Sequence, residues 1–396
     1  MQPLAITAFC SASSLGTGRA ATLSGLRRGI SGLAPCRFES ADLPTFMGTV
    51  EGVDDVRIEG ELARFDCRNN RLAQLALEQD GFQAAVDAAK ARYGAARIGV
   101  FLGTSTSGIL QTEQAYLRRD PTSGLLPPDF DYAGTQSTFS IASFVMQRLG
   151  MTGPGLVVSS ACASTTKVFA TAVRMIATGI CDAAVVGGAD SLCLTTLYGF
   201  DALQLLDSGP CRPFSANRGG LSIGEAAGFA LLERPDHAKD AALHVLGVGE
   251  SSDAHHMSAP HPQGAGAALS MCRALTAAGL RPEQIDYINL HGTATRIGDA
   301  AEDHAVMSLF GDAIPCSSTK GHTGHTLGAS GITEAFIAAL AISQGLLPGS
   351  PHTVTRDPAL RCNYVTTAQP AQIERVLSNS FGFGGSNATL ILGRPQ

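Results

Sequence analysis

Cys162 lies in a run of small residues, SSACAS (159–164), between a strand-like and a helix-like segment. A cysteine at the start of a helix suits nucleophilic chemistry, because the unpaired N–H groups and the helix dipole favour a thiolate. We therefore expect the pKa of this thiol to lie below its usual value of about 8.5. The small neighbours permit a tight turn and leave space for an incoming carbonyl group. The alternative is a buried structural cysteine, an ordinary state of cysteine in a protein core.

Two histidine-bearing loops follow further along the chain. His291 lies in LHGTATRIGDAAE (290–302), just past a predicted strand end, where α/β proteins place their active-site loops. The segment STKGHTGHTLGASG (318–331) contains a lysine and two histidines among glycines that indicate close backbone approach. It lacks the GxxxxGK[ST] pattern of a phosphate loop, and His322 and His325 alone are too few ligands for a zinc site. Each histidine could instead be a hydrogen-bonded loop residue.

A glycine-rich segment, NSFGFGGSN (379–387), interleaves two phenylalanines with three glycines after a predicted strand. Flexible glycines around a bulky ring suit a gate over a site, and a hairpin turn capped by core aromatics fits equally well. Two further polar clusters fit solvated or supporting groups better than metal ligands. Their members are His255, His256 and His261 in one cluster, and Asp299, Glu302, Asp303 and His304 in the other.

Strand-like and helix-like segments alternate along the chain and must position these loops, which predicts an α/β fold. A strand at 155–160, a helix at 162–179 and a strand at 181–189 form one βαβ unit with an expected right-handed crossover. A second unit repeats the pattern with segments at 285–290, 302–311, 313–319 and 327–345. The recurrence predicts two similar halves, residues 1–245 and 246–396.

Composition excludes several classes of function. The 396 residues are 44% hydrophobic and 16% charged, enough to bury a large core, and the net charge of -6 gives no indication of nucleic-acid binding. The chain starts without a signal-peptide pattern and contains no stretch of about 18 uninterrupted apolar residues. Its ten cysteines form no CxxC pair. We expect a cytoplasmic protein with no membrane span.

In this order, SSACAS, HGTAT, STKGHTGHTLGASG and NSFGFGGSN resemble the motifs of the β-ketoacyl-acyl-carrier-protein synthases, specifically the elongating Cys-His-His branch of the thiolase superfamily. Related segments at 103–108, 181–191, 211–228 and 251–260 extend the resemblance over essentially the whole chain. It implies a thiolase-like fold, with two βαβ-rich halves forming a layered α-β-α-β-α core. It also implies decarboxylative Claisen condensation of an acyl thioester with malonyl-carrier protein. No metal or redox cofactor is expected, since the substrates arrive on the phosphopantetheine of acyl carrier protein.

The resemblance assigns roles to residues of this chain. Cys162 matches the acylated nucleophile, and His291 and His325 match the paired histidines that serve decarboxylation. Lys320 and Glu302 match the residues that hold the histidine network. Neutral imidazole N–H groups aimed at an enolate oxygen are the type of donor that such a step requires.

The substrate pocket is predicted from further matches. Candidate substrate-binding residues are Thr293, Thr295, Thr106 and Phe200. The two hydroxyls at 293 and 295 match contacts to the phosphopantetheine arm. Phe383 matches a gating phenylalanine whose backbone N–H joins that of Cys162 in an oxyanion hole. Thr106 matches a loop residue at the far end of the acyl tunnel near a dimer interface, and the alternative is a helix cap through its hydroxyl.

Acyl carrier proteins are acidic, so docking onto a negatively charged chain requires a local basic surface. Arg64, Arg68 and Arg71 fall at helical spacing i, i+4, i+7, and Arg118 and Arg119 lie in a predicted polar loop. We expect these five arginines to form the docking surface. The alternative for the first three is a solvated helix face.

Departures from the family pattern leave the pathway open. RPFSANRGGL stands where housekeeping members usually have RPFDxxRDGF, and GTSTSG replaces a glycine-dominated run. These changes fit either fatty-acid elongation or a specialised synthase of polyene or polyketide assembly. The partner is a second copy of this chain or a synthase-like subunit, and in a ketosynthase/chain-length-factor heterodimer this chain would be the catalytic half.

Rival functions require residues that this chain lacks. A thiolase would need a second cysteine in a late CGH-like segment, and an initiating Cys-His-Asn synthase would need an asparagine in place of His325. A non-catalytic chain-length factor would lack Cys162. An unreactive scaffold of the same fold remains an alternative, which alkylation mapping of the cysteines would distinguish.

Overall fold

The computed structural model describes residues 1–395, which form seventeen strands and eleven helices. The strands are β1 (Leu4–Ser13), β2 (Gly16–Thr17), β3 (Leu33–Pro35), β4 (Phe46–Gly48), β5 (Ile98–Gly103), β6 (Gly155–Val158), β7 (Ala183–Asp190), β8 (Ile223–Gly224), β9 (Ala226–Glu233), β10 (His244–Ser252), β11 (Tyr287–Asn289), β12 (Pro315–Ser317), β13 (Leu346–Leu347), β14 (Asn363–Tyr364), β15 (Gln369–Pro370), β16 (Arg375–Gly382) and β17 (Ser386–Gly393). The helices are α1 (Gly18–Arg28), α2 (Arg68–Leu77), α3 (Phe82–Tyr93), α4 (Ile109–Leu117), α5 (Ser140–Leu149), α6 (Ser164–Ala177), α7 (Leu194–Ala202), α8 (Ala265–Ala278), α9 (Arg296–Phe310), α10 (Lys320–Thr323) and α11 (Ser330–Gln344).

Twelve strands form one mixed sheet in the order β14-β12-β11-β16-β17-β10-β1-β9-β7-β5-β6, with β2 paired to β1. The order is repeated on either side of the β1–β10 pair. Going outwards, β9, β7, β5 and β6 pair antiparallel, antiparallel, parallel and parallel, and β17, β16, β11 and β12 do the same. The boundary between the predicted halves 1–245 and 246–396 stays a prediction.

Helices α6 and α11 contact each other and lie in the middle of the molecule. α6 packs chiefly on β5 and β7, whereas α11 packs on β16 and β17 and also on β9. On the β1 side of the sheet order, helices α2, α3 and α5 pack on the strands β1, β5, β6, β7 and β9. On the β10 side, α8 packs on β10 and β17. With α6 and α11 in the middle, these helices and strands form five alternating layers. The α/β architecture predicted from the alternation of segments is therefore confirmed.

The predicted βαβ unit around Cys162 matches β6, α6 and β7 to within a few residues. α6 forms because its apolar residues recur at helical spacing and enter the core together, among them Val168, Phe169 and Ala172. β7 passes very close to β5 at Gly188, whose φ is 151°, and a Cβ at this position would lie 1.9 Å from the Gly103 carbonyl oxygen. Glycine is therefore required there.

The second predicted unit differs at one boundary. The helix expected at 302–311 begins six residues earlier, at Arg296, because Thr295 is already extended and ends the loop directly before it. The segment Leu327–Gln344 is long and apolar enough to cross a membrane by length and composition, but 89% of it is buried within the protein. It belongs to the core because it supplies the central helix α11.

The predicted docking arginines do not share one exposed helix face. α2 begins at Arg68, whose buried guanidinium donates to Glu225 through Nε and Nη2 at 2.7 Å each and to Asp54 at 2.6 Å. Including Arg68 in an exposed docking surface was therefore wrong, because its charge is bound to a carboxylate inside the protein. Arg71 donates twice to Asp66 at 2.6 Å and is largely covered.

The other three arginines remain accessible. Arg64 precedes α2, lies 3.1 Å from Asp131, and its side chain is 56% exposed. Arg118 pairs with Asp129 at 3.0 Å, and Arg119 is exposed after α4. A docking role for these three side chains stays a prediction.

We predict that Arg68→Gln lowers the free energy of unfolding by roughly 3–5 kcal/mol, because it leaves the Glu225 carboxylate buried without its cation. The matched variant Arg64→Gln removes an exposed ion pair and should cost about 0–1 kcal/mol. Urea denaturation of both variants measures the difference. Equal losses in the two variants would contradict the buried ion pair.

Candidate active site

Three loops that follow different elements bring Cys162, His291 and His325 together. Cys162 Sγ lies 3.0 Å from His325 Nε2, and the two imidazole rings are 5.3 Å apart in an edge-to-face arrangement. The sulfur and one nitrogen of each ring lie within 4.8 Å of one another, and all three side chains are buried. The structure therefore places in one cluster the cysteine and the two histidines that the sequence analysis selected.

Cys162 occupies a tight turn between β6 and α6. Ala161, the residue before it, has a φ of 47°, a conformation that favours glycine and that a small side chain tolerates best. The Ser164 hydroxyl holds this turn by accepting from the Ser160 N–H at 2.9 Å and donating to the Ala161 carbonyl at 2.6 Å. The sulfur thus lies at the N-terminal end of α6, as the small residues around it predict.

The resting state of the thiol differs from expectation. Burial raises the pKa of Cys162 to about 12, and the charge of Lys320 and the backbone N–H of Phe383 offset only part of this effect. The expected lowering of the thiol pKa by the helix N-terminus was wrong, because burial outweighs it. The sulfur rests as a neutral thiol, and His325 Nε2 is within reach of its proton when the sulfur attacks.

Both imidazoles are neutral near pH 7. Burial, followed by the nearby charge of Lys320, holds the pKa of His291 and that of His325 well below the usual range. Lys320 Nζ lies 3.4 Å from His291 Nδ1 and can donate to it, which leaves the proton of this ring on Nε2. His325 Nδ1 lies 3.0 Å from the Ser330 hydroxyl, which can donate or accept, so that His325 can change tautomer.

The charge of Lys320 is balanced by a residue that the sequence analysis did not select. Lys320 is buried, and its Nζ donates to Glu334 Oε1 at 2.5 Å. Burial raises the pKa of Glu334 to about 7, against the effect of Lys320. Glu334 is the single charged residue of the apolar helix α11, and an isolated carboxylate in a buried helix was the signal that could have identified it.

Glu302 supports the His291 loop through the backbone. Its two carboxylate oxygens accept from the N–H groups of His291 and Gly292 at 2.8 and 2.7 Å, and Asn379 donates to it at 3.1 Å. The Asp299 carboxylate likewise accepts from the backbone N–H of Ala294 at 3.1 Å. These buried carboxylates hold the loop in place, in agreement with the supporting role considered for this polar cluster.

The predicted substrate-binding residues line a pocket of about 310 Å³ above the cluster, with one exception. Phe200 and Phe383 stack at 5.6 Å between ring centres, and the hydroxyls of Thr293 and Thr295 lie 3.0 Å apart in the same wall. The backbone N–H groups of Phe383 and Cys162 both act to lower the pKa of the Cys162 thiol, so two N–H donors lie beside the sulfur.

Thr106 is the exception, since it lies outside this pocket. Its N–H and hydroxyl both donate to Asp190 Oδ1 at 2.9 Å, and the hydroxyl accepts from the Ser191 N–H at 3.0 Å. The helix-cap alternative for Thr106 was wrong, because the buried carboxylate of Asp190 binds the hydroxyl. The hydroxyl does not cap α4, which begins at Ile109 after Gly108. The position of Thr106 at the far end of an acyl tunnel stays a prediction.

The remaining histidines have other positions. The His322 ring lies against the carbonyl oxygens of Ile30 and Gly349, at 2.6 and 3.3 Å. His255 and His256 are exposed. The triad of Cys162, His291 and His325 has the atom types of a zinc site. The Lys320 ammonium beside His291 repels a metal ion at this position. That the protein has no resident metal stays a prediction.

Two family models match the chain. One described as "Beta-ketoacyl synthase, N-terminal domain" matches residues 2–238, and one described as "Beta-ketoacyl synthase, C-terminal domain" matches residues 243–354. Among curated proteins, the mitochondrial 3-oxoacyl-[acyl-carrier-protein] synthase of Arabidopsis thaliana is 39% identical over 266 residues, which are 62% of this chain and 58% of that protein. The matched part is therefore less than two thirds of that relative. The 3-oxoacyl-[acyl-carrier-protein] synthase 2 of Staphylococcus aureus is 33% identical over 85% of this chain and 89% of its own length.

Solved structures match over the full chain. The ketosynthase ApeO, solved in complex with its chain length factor ApeC from Xenorhabdus doucetiae, is 36% identical with a TM-score of 0.90, over 100% of this chain and 98% of that one. The ishigamide ketosynthase/chain length factor is 28% identical with a TM-score of 0.87, over 100% of both chains. The predicted thiolase-like fold is confirmed.

Proposed function

The chain belongs to the β-ketoacyl synthase family, and from that premise we propose that it catalyses decarboxylative Claisen condensation of an acyl thioester with malonyl-acyl-carrier protein. The observation that carries the proposal is the contact of Cys162 Sγ with His325, with His291 alongside, at the floor of a pocket. A nucleophile, two neutral N–H donors and two backbone N–H groups meet there. These are the groups that the two half-reactions require.

In the first half-reaction the acyl chain moves from its carrier to the enzyme. Cys162 Sγ attacks the thioester carbonyl, and the thiol proton passes to His325 Nε2. The carbonyl oxygen becomes an oxyanion that accepts from the N–H groups of Cys162 and Phe383. When the intermediate collapses, the carrier sulfur leaves and takes up the proton from His325.

In the second half-reaction the malonyl thioester loses CO₂. The electron pair of the broken C–C bond forms an enolate, whose oxygen accepts from Nε2–H of His291 and of His325. The enolate carbon attacks the acyl carbonyl on Cys162, the thiolate leaves and takes up a proton from solvent, and the β-ketoacyl thioester remains on the carrier. Lys320 and Glu302 position the His291 loop during these steps.

The same proposal covers substrates, cofactors and location. The substrates are acyl groups on the phosphopantetheine arm of acyl carrier protein, which passes Thr293 and Thr295 in the pocket wall. No metal or redox cofactor takes part, because no step needs an oxidant or a reductant and N–H groups bind the negative charge on the oxyanion and the enolate. The docking surface for the carrier protein consists of the three exposed arginines Arg64, Arg118 and Arg119, without Arg68 and Arg71. The protein acts in the cytoplasm.

We further propose that the chain is the catalytic half of a pair with a synthase-like subunit, in specialised polyene or polyketide assembly. β6 is an edge strand of the large sheet, and exposed apolar residues near it include Leu156 and Phe139, at 40% and 44% exposure. An unpaired apolar edge is a surface that a second chain covers. The two full-length neighbours that contain a chain length factor support a heterodimer over a homodimer.

Acylation of Cys162 tests the condensing activity directly. Incubation with a panel of acyl-carrier proteins should give an acyl adduct on Cys162 in intact-mass and peptide spectra. Cys162→Ala should lose the adduct and condensation, and Cys162→Gln should keep malonyl decarboxylation because its amide occupies the oxyanion hole. Cys193 is a buried cysteine outside the pocket, so the control variant Cys193→Ala should behave as wild type. Full condensation by Cys162→Ala would overturn the mechanism.

Light scattering tests the pairing. The chain co-expressed with a synthase-like subunit that lacks the nucleophile should elute as a 1:1 complex with higher condensation activity than the chain alone. Leu156→Asp places a charge on β6 and should dissociate the complex, whereas Val354→Asp, at a position 92% exposed in the other half of the chain, should not. A fully active monomer would contradict the pairing.

A further inference from the structure

Arg296 is the one lysine or arginine in the wall of the active-site pocket, counted over residues 1–395. It lies on the loop that runs outwards from the cluster. Along this loop His291 is buried, Thr293 and Thr295 are half-buried, and Arg296 is exposed. The guanidinium therefore lies at the mouth of the pocket, on the same wall as the two hydroxyls.

Neighbouring arginines are bound to carboxylates, but Arg296 has no salt bridge within the described part of the chain. Arg218 pairs with Asp299 and Asp357 at 3.3 and 2.6 Å, and Arg212 pairs with Asp207 at 2.9 Å. The pKa of Asp357 is lowered chiefly by its hydrogen bond with Arg218, and the charge of Arg296 makes the smallest contribution to this lowering. Asp357 is therefore bound to Arg218 and not to Arg296.

The charge of Arg296 is also unfavourably placed for the fold. Arg296 is the first residue of α9, a helix of 15 residues, and the N-terminal end of a helix repels a cation. An anion at this position would be stabilised by both the guanidinium and the helix. Within the fold, the favourable interaction of Arg296 that offsets this repulsion is its attraction to Asp357, the smallest of the contributions to the lowered pKa of that carboxylate.

We propose that Arg296 binds the phosphate of the phosphopantetheine arm while the thioester at the other end of the arm lies beside Cys162. The proposal rests on the proposed function, which brings this arm into the pocket. The two acidic residues of the wall already have partners. Asp253 accepts from the Asn387 amide at 2.8 Å and from the His261 N–H at 3.3 Å, and Glu302 accepts from the N–H groups of His291 and Gly292. The arginine fork matches two phosphate oxygens at once, whereas the threonine hydroxyls match only the uncharged part of the arm.

The test compares two small substrates that differ by the phosphate alone, acyl-4′-phosphopantetheine and acyl-pantetheine. Arg296→Gln should raise KM for the phosphorylated substrate about fivefold, the effect of one exposed ion pair, and leave kcat unchanged. KM for acyl-pantetheine should stay the same. Arg296→Lys should keep most of the preference for phosphate, and about 0.5 M salt should reduce the preference in wild type.

Arg281→Gln is the matched control, since it removes an exposed arginine outside the pocket and should change neither KM. Equal changes for both substrates in Arg296→Gln, or no change for either, would overturn the phosphate contact. A wild-type enzyme that forms no Cys162 adduct with either substrate would instead overturn the proposed function, so the two failures are distinct.

Discussion

One buried ammonium group, Lys320 Nζ, sets the electrostatics of the active site. It is held by Glu334 at 2.5 Å and lies 3.4 Å from His291 Nδ1. A buried cation without a carboxylate would be strongly destabilising, so the pair with Glu334 is the condition for the arrangement. Burial is the larger cause of the lowered pKa of both imidazoles, and the charge of Lys320 adds to it, which preserves the two neutral N–H donors. The same positive field favours the enolate that these donors stabilise.

The rest of the fold keeps this arrangement fixed. Cys162 comes from the strand group of β5, β6 and β7, and His291 comes from the group of β11, β12 and β16, so neither group alone contains the site. α6 and α11 join the two groups, since the Thr165 hydroxyl donates to the Gly328 carbonyl at 2.6 Å and accepts from the Ile332 N–H at 3.0 Å. A small displacement between the groups would separate the sulfur from His325 and end the proton transfer.

Local patterns were sufficient to predict the strands and helices around Cys162, whereas the two histidines and the residues of the pocket wall were selected through the family resemblance. Local patterns were insufficient wherever a side chain is bound by a distant partner. Arg68 was placed on a surface because Glu225, 157 residues away, was not recognised as its partner. A helix cap was considered for Thr106 because Asp190, 84 residues away, was not recognised as the partner of its hydroxyl. The thiol pKa was misjudged for a related reason, since burial depends on the whole fold and not on the adjacent helix.

The pH dependence of malonyl decarboxylation by Cys162→Gln tests the account most directly. Because the pKa values of His291 and His325 lie well below the usual range, their neutral forms persist to low pH. The rate should therefore stay constant as the pH falls from about 7.5 through 6.5, where an ordinary histidine would be half protonated. In the same background, Lys320→Met removes the nearby charge and should move the loss of activity to higher pH. If Cys162→Gln with Lys320 retained loses half its decarboxylation rate near pH 6.5, the neutral histidine pair is contradicted.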